Sequence, residues 1–342
     1  MKKLLFLLNM MLVTAFVYAQ KEIHYEILRN EPQSHNNLFV SASPVFFDIS
    51  NNTGVCFGLG ASYNHKEKFI VDLDFHRSYT EKTNLLFGSF ESYDRNKIGR
   101  YGEPMGPMKN LMVFNMSGQY LFNPHIREGR KKVPVVRGYH KTVYIKVPTK
   151  RLYAFPLRVG YYYYQLVINS ASNFGSTHFS WFGTKINDPA ATPEAIQGYT
   201  NYKAQILTLG IGIYIRDDIK ITVIDSRPQY SGDKEVREST YYYADILFPM
   251  NQKIENMNVI ETYYPDIFSS AITIEDEYNM NDHTPKTKMG FRVGRKYLIA
   301  NPSSWGAAAL KVEVGCRPGP IEYKRNLFLV VGFDIIFSKR TY

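Results

Sequence analysis

The C-terminal segment 325–338 alternates between large apolar positions and mixed ones. Its odd positions from Leu327 to Phe337 are all large and apolar, whereas its even positions include Gly332 and Asp334. Side chains of a β-strand point alternately to opposite faces, so one face of this strand is apolar and the other tolerates a carboxylate. The apolar face belongs either in the interior of a soluble sandwich or against the lipid around a membrane barrel.

The same alternation recurs along the chain and predicts an all-β fold. We expect about 12 strands, or roughly 14 if the segment 142–147 changes the count. The predicted strands are 38–49, 55–64, 68–79, 111–122, 152–167, 207–215, 219–223, 240–248, 257–274, 288–299, 306–316 and 325–338. Tight turns between several of these runs are typical of an antiparallel meander.

The mixed faces of these strands carry ionisable side chains and glycines. Ionisable groups do not separate a barrel from a sandwich, in which they would face water. Glycines such as Gly58, Gly210 and Gly294 favour the barrel, because glycine weakens a solvent-exposed strand but makes room inside a closed lumen. We therefore predict a closed antiparallel transmembrane β-barrel. The lumen-facing candidates are Asp72, Asp74, His76, Arg158, Lys220, Asp245, Arg292, Lys311, Glu313 and Asp334.

Residues 1–19 have the features of a secretion signal peptide. Lys2 and Lys3 precede an apolar run from Leu4 to Val17, and a small-residue cleavage site precedes Gln20. The run is shorter than the roughly 20 residues of a membrane-spanning helix, and no longer apolar run follows it. A barrel is the other backbone arrangement that satisfies its hydrogen bonds inside a bilayer.

The predicted organisation is a periplasmic lead-in at 20–37, a barrel at 38–338 and a tail at 339–342. Long loops are expected at 80–110, 169–203 and 276–287, and short turns at 65–67, 216–218 and 301–304. If the first strand runs outward, the short turns lie in the periplasm and the long loops outside, as in outer-membrane barrels. A tight turn at 51–54 and a basic insertion at 123–151 fit this scheme less well.

Three features together carry a resemblance to a known class. They are the signal that ends before Gln20, the G-x-G strands such as Leu209 to Tyr214, and the aromatic final strand. In these features the chain resembles the outer-membrane β-barrel proteins of Bacteroidota-type bacteria, although no motif points to one family. The resemblance implies an outer-membrane location. Such barrels usually end on an aromatic residue, whereas this chain continues past Phe337 to Tyr342, so either residue can be the terminal assembly signal.

Charge and aromatic content favour contact with membrane surfaces. The formal net charge is +10, and 27 tyrosines are present. Tyrosine favours membrane–water boundaries, and a basic exported protein encounters anionic surfaces, so we expect outer-membrane lipids and lipopolysaccharide as partners. The insertion at 123–151 is either a solvated connection or a docking surface for an acidic partner or lipid phosphates. Its docking candidates are Arg127, Arg130, Lys131, Lys132 and Arg137.

The sequence offers little for catalysis. Its eight histidines lack the spacing of a transition-metal site, and it has no phosphate-binding or dinucleotide-binding motif. We expect no catalytic residue, cofactor, metal site or nucleic-acid partner. A lipid-modifying barrel enzyme would need a serine beside a histidine base, for which Ser62, Ser117 and His76 are available but not oriented by the sequence.

The expected strand number narrows the functional choice. Barrels of eight strands are filled by side chains and those of sixteen or more enclose a channel, so about 12 strands is intermediate. We expect a non-enzymatic barrel that docks other envelope proteins, as an accessory subunit of a secretion or outer-membrane assembly machine. The alternative is a narrow solute channel, and a lipid-modifying enzyme is less favoured.

Overall fold

The computed structural model describes thirteen ranges of the chain. These are 23–32, 36–49, 54–79, 99–105, 111–137, 142–169, 181–196, 198–225, 231–263, 272–282, 284–300, 307–320 and 326–341. None of the described residues forms a helix long and apolar enough to cross a membrane. The strands are β1 (His24–Arg29), β2 (Asn36–Ile49), β3 (Gly54–His65), β4 (Phe69–Ser78), β5 (Gly99–Pro104), β6 (Met112–Arg137), β7 (Thr142–Asn169), β8 (Trp181–Lys185), β9 (Glu194–Ile196), β10 (Tyr199–Ile224), β11 (Gly232–Ile254), β12 (Met257–Tyr263), β13 (Ile272–Asn279), β14 (Gly290–Ala300), β15 (Ala307–Cys316) and β16 (Leu327–Thr341).

Ten of these strands close into an antiparallel barrel. Their order around the barrel is β10, β11, β14, β15, β16, β2, β3, β4, β6 and β7, and β7 pairs again with β10. Gly210 of β10, for example, lies opposite Asp245 of β11 on one side and Arg158 of β7 on the other. The predicted closed antiparallel barrel is therefore confirmed, whereas the predicted 12 or 14 strands are not.

Two errors account for the difference in strand number. Residues 207–223 were expected to form a hairpin with a turn at 216–218, but β10 runs straight through this turn because Arg216, Asp217 and Asp218 pair with Ser239, Glu238 and Arg237 of β11. The expected strand at 257–274 is instead the pair β12 and β13, which belongs to a second sheet. The segment 142–147 is the start of β7 and adds no strand.

The apolar faces of the barrel strands point outward. Large exposed side chains include Leu59, Leu73, Met116, Leu157, Val159, Leu209, Ile211, Val293, Leu310, Val312 and Ile335. Aromatic side chains flank this aliphatic band. Near the end at which β16 finishes, here named the terminal end, the exposed aromatic residues are Tyr63, Phe69, Tyr120, Phe122, Phe155, Tyr242 and Phe337; near the opposite, outer end they are Phe47, Phe57, Tyr79 and Phe291. An apolar band between two aromatic girdles is typical of a transmembrane barrel.

A second sheet lies at the outer end. It has the order β5, β12, β13, β8, β9. The segments expected as loops at 80–110 and 169–203 contain β5, β8, β9 and the start of β10, and the expected loop at 276–287 overlaps β13. Met257 and Tyr278 of this sheet are fully buried in one cluster with Tyr202 and Ile206 of the barrel, so the sheet packs onto the barrel end.

At the terminal end, the hairpins β6–β7 and β10–β11 continue beyond their barrel neighbours. β6 pairs with β4 only as far as Tyr120 but with β7 as far as Arg137, so residues 123–137 and 142–151 continue two barrel strands and are not an insertion. Strand β1, within the expected lead-in, pairs with the last residues of β10. We name these continued hairpins together with β1 the extension. The turn at 65–67 is found as expected, whereas the signal peptide and the turn at 301–304 lie outside the described residues. Of the turn expected at 51–54, only Gly54 is described, and it begins β3.

The extension has an apolar core of its own. Val133, Val135 and Val147 of the β6–β7 hairpin form a buried cluster with Ile219, Ile221, Val223 and Val236 of β10 and β11. On β10, Ile211 is 67% exposed, whereas Ile219 and Ile221 on the same face are 0% exposed. One face of a single strand thus changes from exposed to fully buried within eight residues, and Asp217 lies between the two environments.

Candidate functional site

Ion pairs fill the centre of the barrel. Asp245 lies between two arginines: its Oδ2 is 2.6 Å from Nε of Arg292, and its Oδ1 is 3.1 Å from Nε of Arg158. Glu313 lies 3.7 Å from Arg292 and 3.4 Å from Nζ of Lys311. All of these side chains are buried, so each charge depends on its neighbours for compensation.

Tyrosines close the space around this cluster. The Cζ of Arg158 lies 4.1 Å from the ring centroid of Tyr243 and 5.1 Å from that of Tyr241, which is within the range of cation–π attraction. The Tyr243 hydroxyl donates a hydrogen bond to Glu313. A Cβ at Gly210 would overlap the Asp245 carboxylate, and one at Gly294 would overlap the Tyr243 ring. These glycines make room for large interior side chains.

Two further ion pairs lie nearer the ends of the barrel. At the outer end, Arg317 holds Asp48 through two hydrogen bonds of 3.0 and 2.5 Å. At the terminal end, Arg216 donates a hydrogen bond to Glu67. All four residues are buried. Buried ion pairs at three levels therefore occupy the lumen along its length.

The structure places nine of the ten lumen-facing candidates on the interior face. Of these, Lys311 lies 3.6 Å from Asp74, and Asp72 lies 3.9 Å from Lys296, an interior lysine outside the candidate set. The other interior candidates are His76, Arg158, Asp245, Arg292, Glu313 and Asp334. The predicted lumen-facing position of Lys220 is wrong. It lies in the extension and pairs at 3.0 Å with the exposed Asp233, because β10 continues past the end of the barrel.

Sequence reasoning missed Ser43, Asp48, Glu67, Arg216 and Arg317. The Ser43 hydroxyl lies 3.3 Å from Nε2 of His76 and donates a 2.5 Å hydrogen bond to Asp334. The pairing of β2 with both neighbours shifts register beside Ser43, and Pro44 within the strand is a local signal for such a bulge. Ser43 therefore lies beside His76, the histidine that a lipid-modifying enzyme would use as its base. Its hydroxyl, however, donates to Asp334, and all three side chains are buried.

The docking candidates separate into different environments. Lys131 faces into the extension, where its Nζ lies 3.0 Å from Asp217 and 2.5 Å from Glu238. Its ammonium group is therefore already paired, contrary to the prediction that it is free to dock a partner. Arg127 lies over the Tyr153 ring at 5.1 Å. Arg130 and Lys132 are exposed. Arg137 ends β6, and its side chain lies outside the described part.

The Lys131 contacts hold the extension to the barrel rim. Burial lowers the pKa of the Lys131 ammonium, but its hydrogen bonds to Glu238 and Asp217 outweigh this, so its pKa is raised above the usual 10.5. A raised lysine pKa means that the stabilisation is fully present below pH 10.5 and is lost as the pH rises through the folded-state pKa.

Replacing Lys131 with Met is expected to destabilise the extension. The change leaves Glu238 without its ammonium partner and Asp217 with only Arg151, and the partial exposure of these groups limits the loss to about 1–2 kcal/mol. Hydrogen exchange of the amides in 131–135 and 143–149 measures the effect. Lys132→Met is the matched control, since Lys132 is exposed on the opposite face and should stay within about 0.5 kcal/mol. Equal protection in both variants would contradict the assigned role of Lys131.

Comparisons with known proteins do not assign this chain to a family. No protein-family model matches the chain, and no curated protein matches it. Among solved structures, Pseudomonas aeruginosa OccK2 (OpdF), in complex with glucuronate, is 8% identical, with 90% of this chain and 96% of that chain covered and a TM-score of 0.18. OmpT, an outer membrane protein of Vibrio cholerae, is 9% identical, with 89% and 100% covered and a TM-score of 0.17. The strand pairing and the outward apolar band define the chain as a barrel of the outer-membrane type.

Proposed function

We propose that this protein is an integral outer-membrane β-barrel with a closed lumen, and that it docks other envelope proteins as a non-enzymatic accessory subunit. The observation that carries the proposal is the contrast between the two surfaces of the barrel wall. Its outer surface is an apolar band between aromatic girdles, which suits lipid, and its interior is filled by ion pairs. A filled barrel provides an anchor, and its ordered β-structure at both ends provides surfaces for partners.

The proposal assigns the two ends to different compartments. The extension, which includes the N-terminal strand β1 and lies where β16 ends, faces the periplasm, and the sheet that contains β12 and β13 faces outward. Outer-membrane lipids and lipopolysaccharide surround the band, and the partners in the proposed machine for secretion or outer-membrane assembly bind at the ends. The buried Ser43, His76 and Asp334 stabilise the interior in this proposal and have no catalytic role.

The purified protein is expected to produce no steady conductance in a planar lipid bilayer. The ion pairs at three levels of the lumen would have to separate before a hydrated ion could pass, and breaking a buried pair costs about 3–5 kcal/mol. Isolation from membranes in mild detergent should recover the protein with stoichiometric envelope partners. Stepwise, ion-selective openings of the purified protein would contradict the closed barrel and would favour the narrow solute channel.

A further inference from the structure

The β6–β7 hairpin of the extension has a basic face directed away from the core of Val133, Val135 and Val147. Arg130, Lys132 and Lys146 are exposed on this face, and Lys132 lies directly opposite Lys146 in the strand pairing. No carboxylate of the described residues forms an ion pair with any of these three side chains. On the other face, Lys131 and Arg151 both bind Asp217, and Arg127 lies over the Tyr153 ring. Most of the uncompensated charge therefore lies on the face that carries Arg130, Lys132 and Lys146.

This arrangement opposes the stability of the hairpin. Like charges directly opposite each other in a strand pair are destabilising. An acidic residue at either position would instead form a favourable cross-strand pair. A charge pattern that weakens its own hairpin is explained if a ligand supplies the missing negative charge.

One side of β6 is open to strand addition. Beyond Tyr120, β6 pairs with β7 alone among the described strands, so alternate backbone amides and carbonyls between His125 and Val133 have no strand partner. Basic residues and prolines commonly protect such an edge from aggregation. That protection accounts for Arg130, Lys132 and Pro134 on β6 itself. It accounts less well for Lys146 on β7. The pairing of β7 with β10 ends at Leu152, but the free side of β7 contacts the β1 segment, where the Tyr25 hydroxyl donates to the Lys146 carbonyl and the Lys150 amide donates to the Asn30 carbonyl.

The basic face lies beyond the lipid headgroups. His125 and Tyr153 mark the end of the aromatic girdle, where their rings stack at 5.8 Å. Lys132 and Lys146 are each seven residues further along the hairpin, or about 23 Å at the rise of a β-strand. The headgroup layer of one leaflet is only about 5–8 Å thick. The surface therefore faces the aqueous compartment, which favours a protein partner over a membrane.

We propose that this hairpin binds an extended acidic protein segment, which adds as a strand to the open side of β6. Carboxylates at every second residue of the segment pair directly with Arg130 and Lys132 of β6, and their negative charge also offsets the repulsion between Lys132 and Lys146. The inference rests on the proposed docking function and names the surface and the chemistry of the partner. Main-chain hydrogen bonds provide affinity, and the alternating carboxylates provide specificity.

Peptide binding to the full-length protein in phosphatidylcholine nanodiscs tests the proposal. The probes are three labelled ten-residue peptides: one of alternating Val and Glu, one of alternating Val and Lys, and the acidic peptide with a central proline. Fluorescence anisotropy should show that the acidic peptide binds at least tenfold more tightly than the other two. Equal binding of the proline peptide would overturn strand addition, and equal binding of the basic peptide would overturn charge recognition.

Lys132→Glu separates binding from folding. It should weaken binding of the acidic peptide at least tenfold while raising the unfolding midpoint, because it creates a favourable pair with Lys146. Lys253→Glu, at an exposed position near the outer end, is the matched control and should bind as the unchanged protein does. Unchanged binding by Lys132→Glu would overturn the proposal. Binding to phosphatidylglycerol vesicles that depends on Lys132, without binding of the acidic peptide, would also overturn it.

Bilayer conductance tests the proposed function separately. A protein that conducts ions and also binds the acidic peptide would contradict the proposed function but not the proposed binding surface.

Discussion

Asp245→Asn is expected to destabilise the folded barrel by about 3–5 kcal/mol, the cost of removing one partner from a buried ion pair. The Asp245 side chain is fully buried between Arg158 and Arg292. An asparagine has nearly the same shape but no charge, so the two guanidinium groups would share Glu313 as their compensating carboxylate. Urea unfolding in phospholipid vesicles, followed by circular dichroism, measures the change in unfolding free energy.

Asp233→Asn is the matched control for this prediction. It removes the same charge from an ion pair with Lys220 that is exposed in the extension, so the expected loss is below about 1 kcal/mol. A similar loss in both variants would show that Asp245 lies in a hydrated environment. The closed lumen would then be wrong.

Ile211→Lys is expected to destabilise the membrane-inserted barrel by about 2–4 kcal/mol, the cost of a lysine facing lipid near the middle of a bilayer. Ile211 is 67% exposed at the centre of the apolar band. In water the same substitution at so exposed a position would change little. The unfolding free energy in phospholipid vesicles therefore reports which medium surrounds the band.

The control lies on the same strand. Ile224, at the end of β10, is 61% exposed but lies in the extension beyond the proposed membrane boundary. Ile224→Lys should change the unfolding free energy by less than about 0.5 kcal/mol. If Ile211→Lys were equally mild, or if the protein stayed folded and monomeric without detergent, the transmembrane assignment would fail.

The interior of the barrel was largely predictable from sequence because it depends on a local rule. Alternation assigned Asp74, Arg158, Asp245 and Arg292 to one face, and closure of the barrel made that face the interior. Which charges pair was not predictable, since Asp245 and Arg292 meet through strand register. Alternation also places Asp48 on the interior face, opposite to Phe47, but its partner Arg317 lies just beyond the end of β15, where alternation gives no guidance.

The sequence alone determined the period-two pattern, hence the strands, the apolar outer face and the all-β class. Whether Arg216, Asp217 and Asp218 form a turn or continue a strand was decided by tertiary structure. Three charged residues in a row look locally like a turn, but β11 supplies hydrogen-bonding partners along the whole length of β10. The same holds for Ile219 and Ile221, whose alternation continues that of Ile211. Their burial depends on Val133 and Val147, more than 70 residues away along the chain, because contacts between distant segments determine what covers an apolar face.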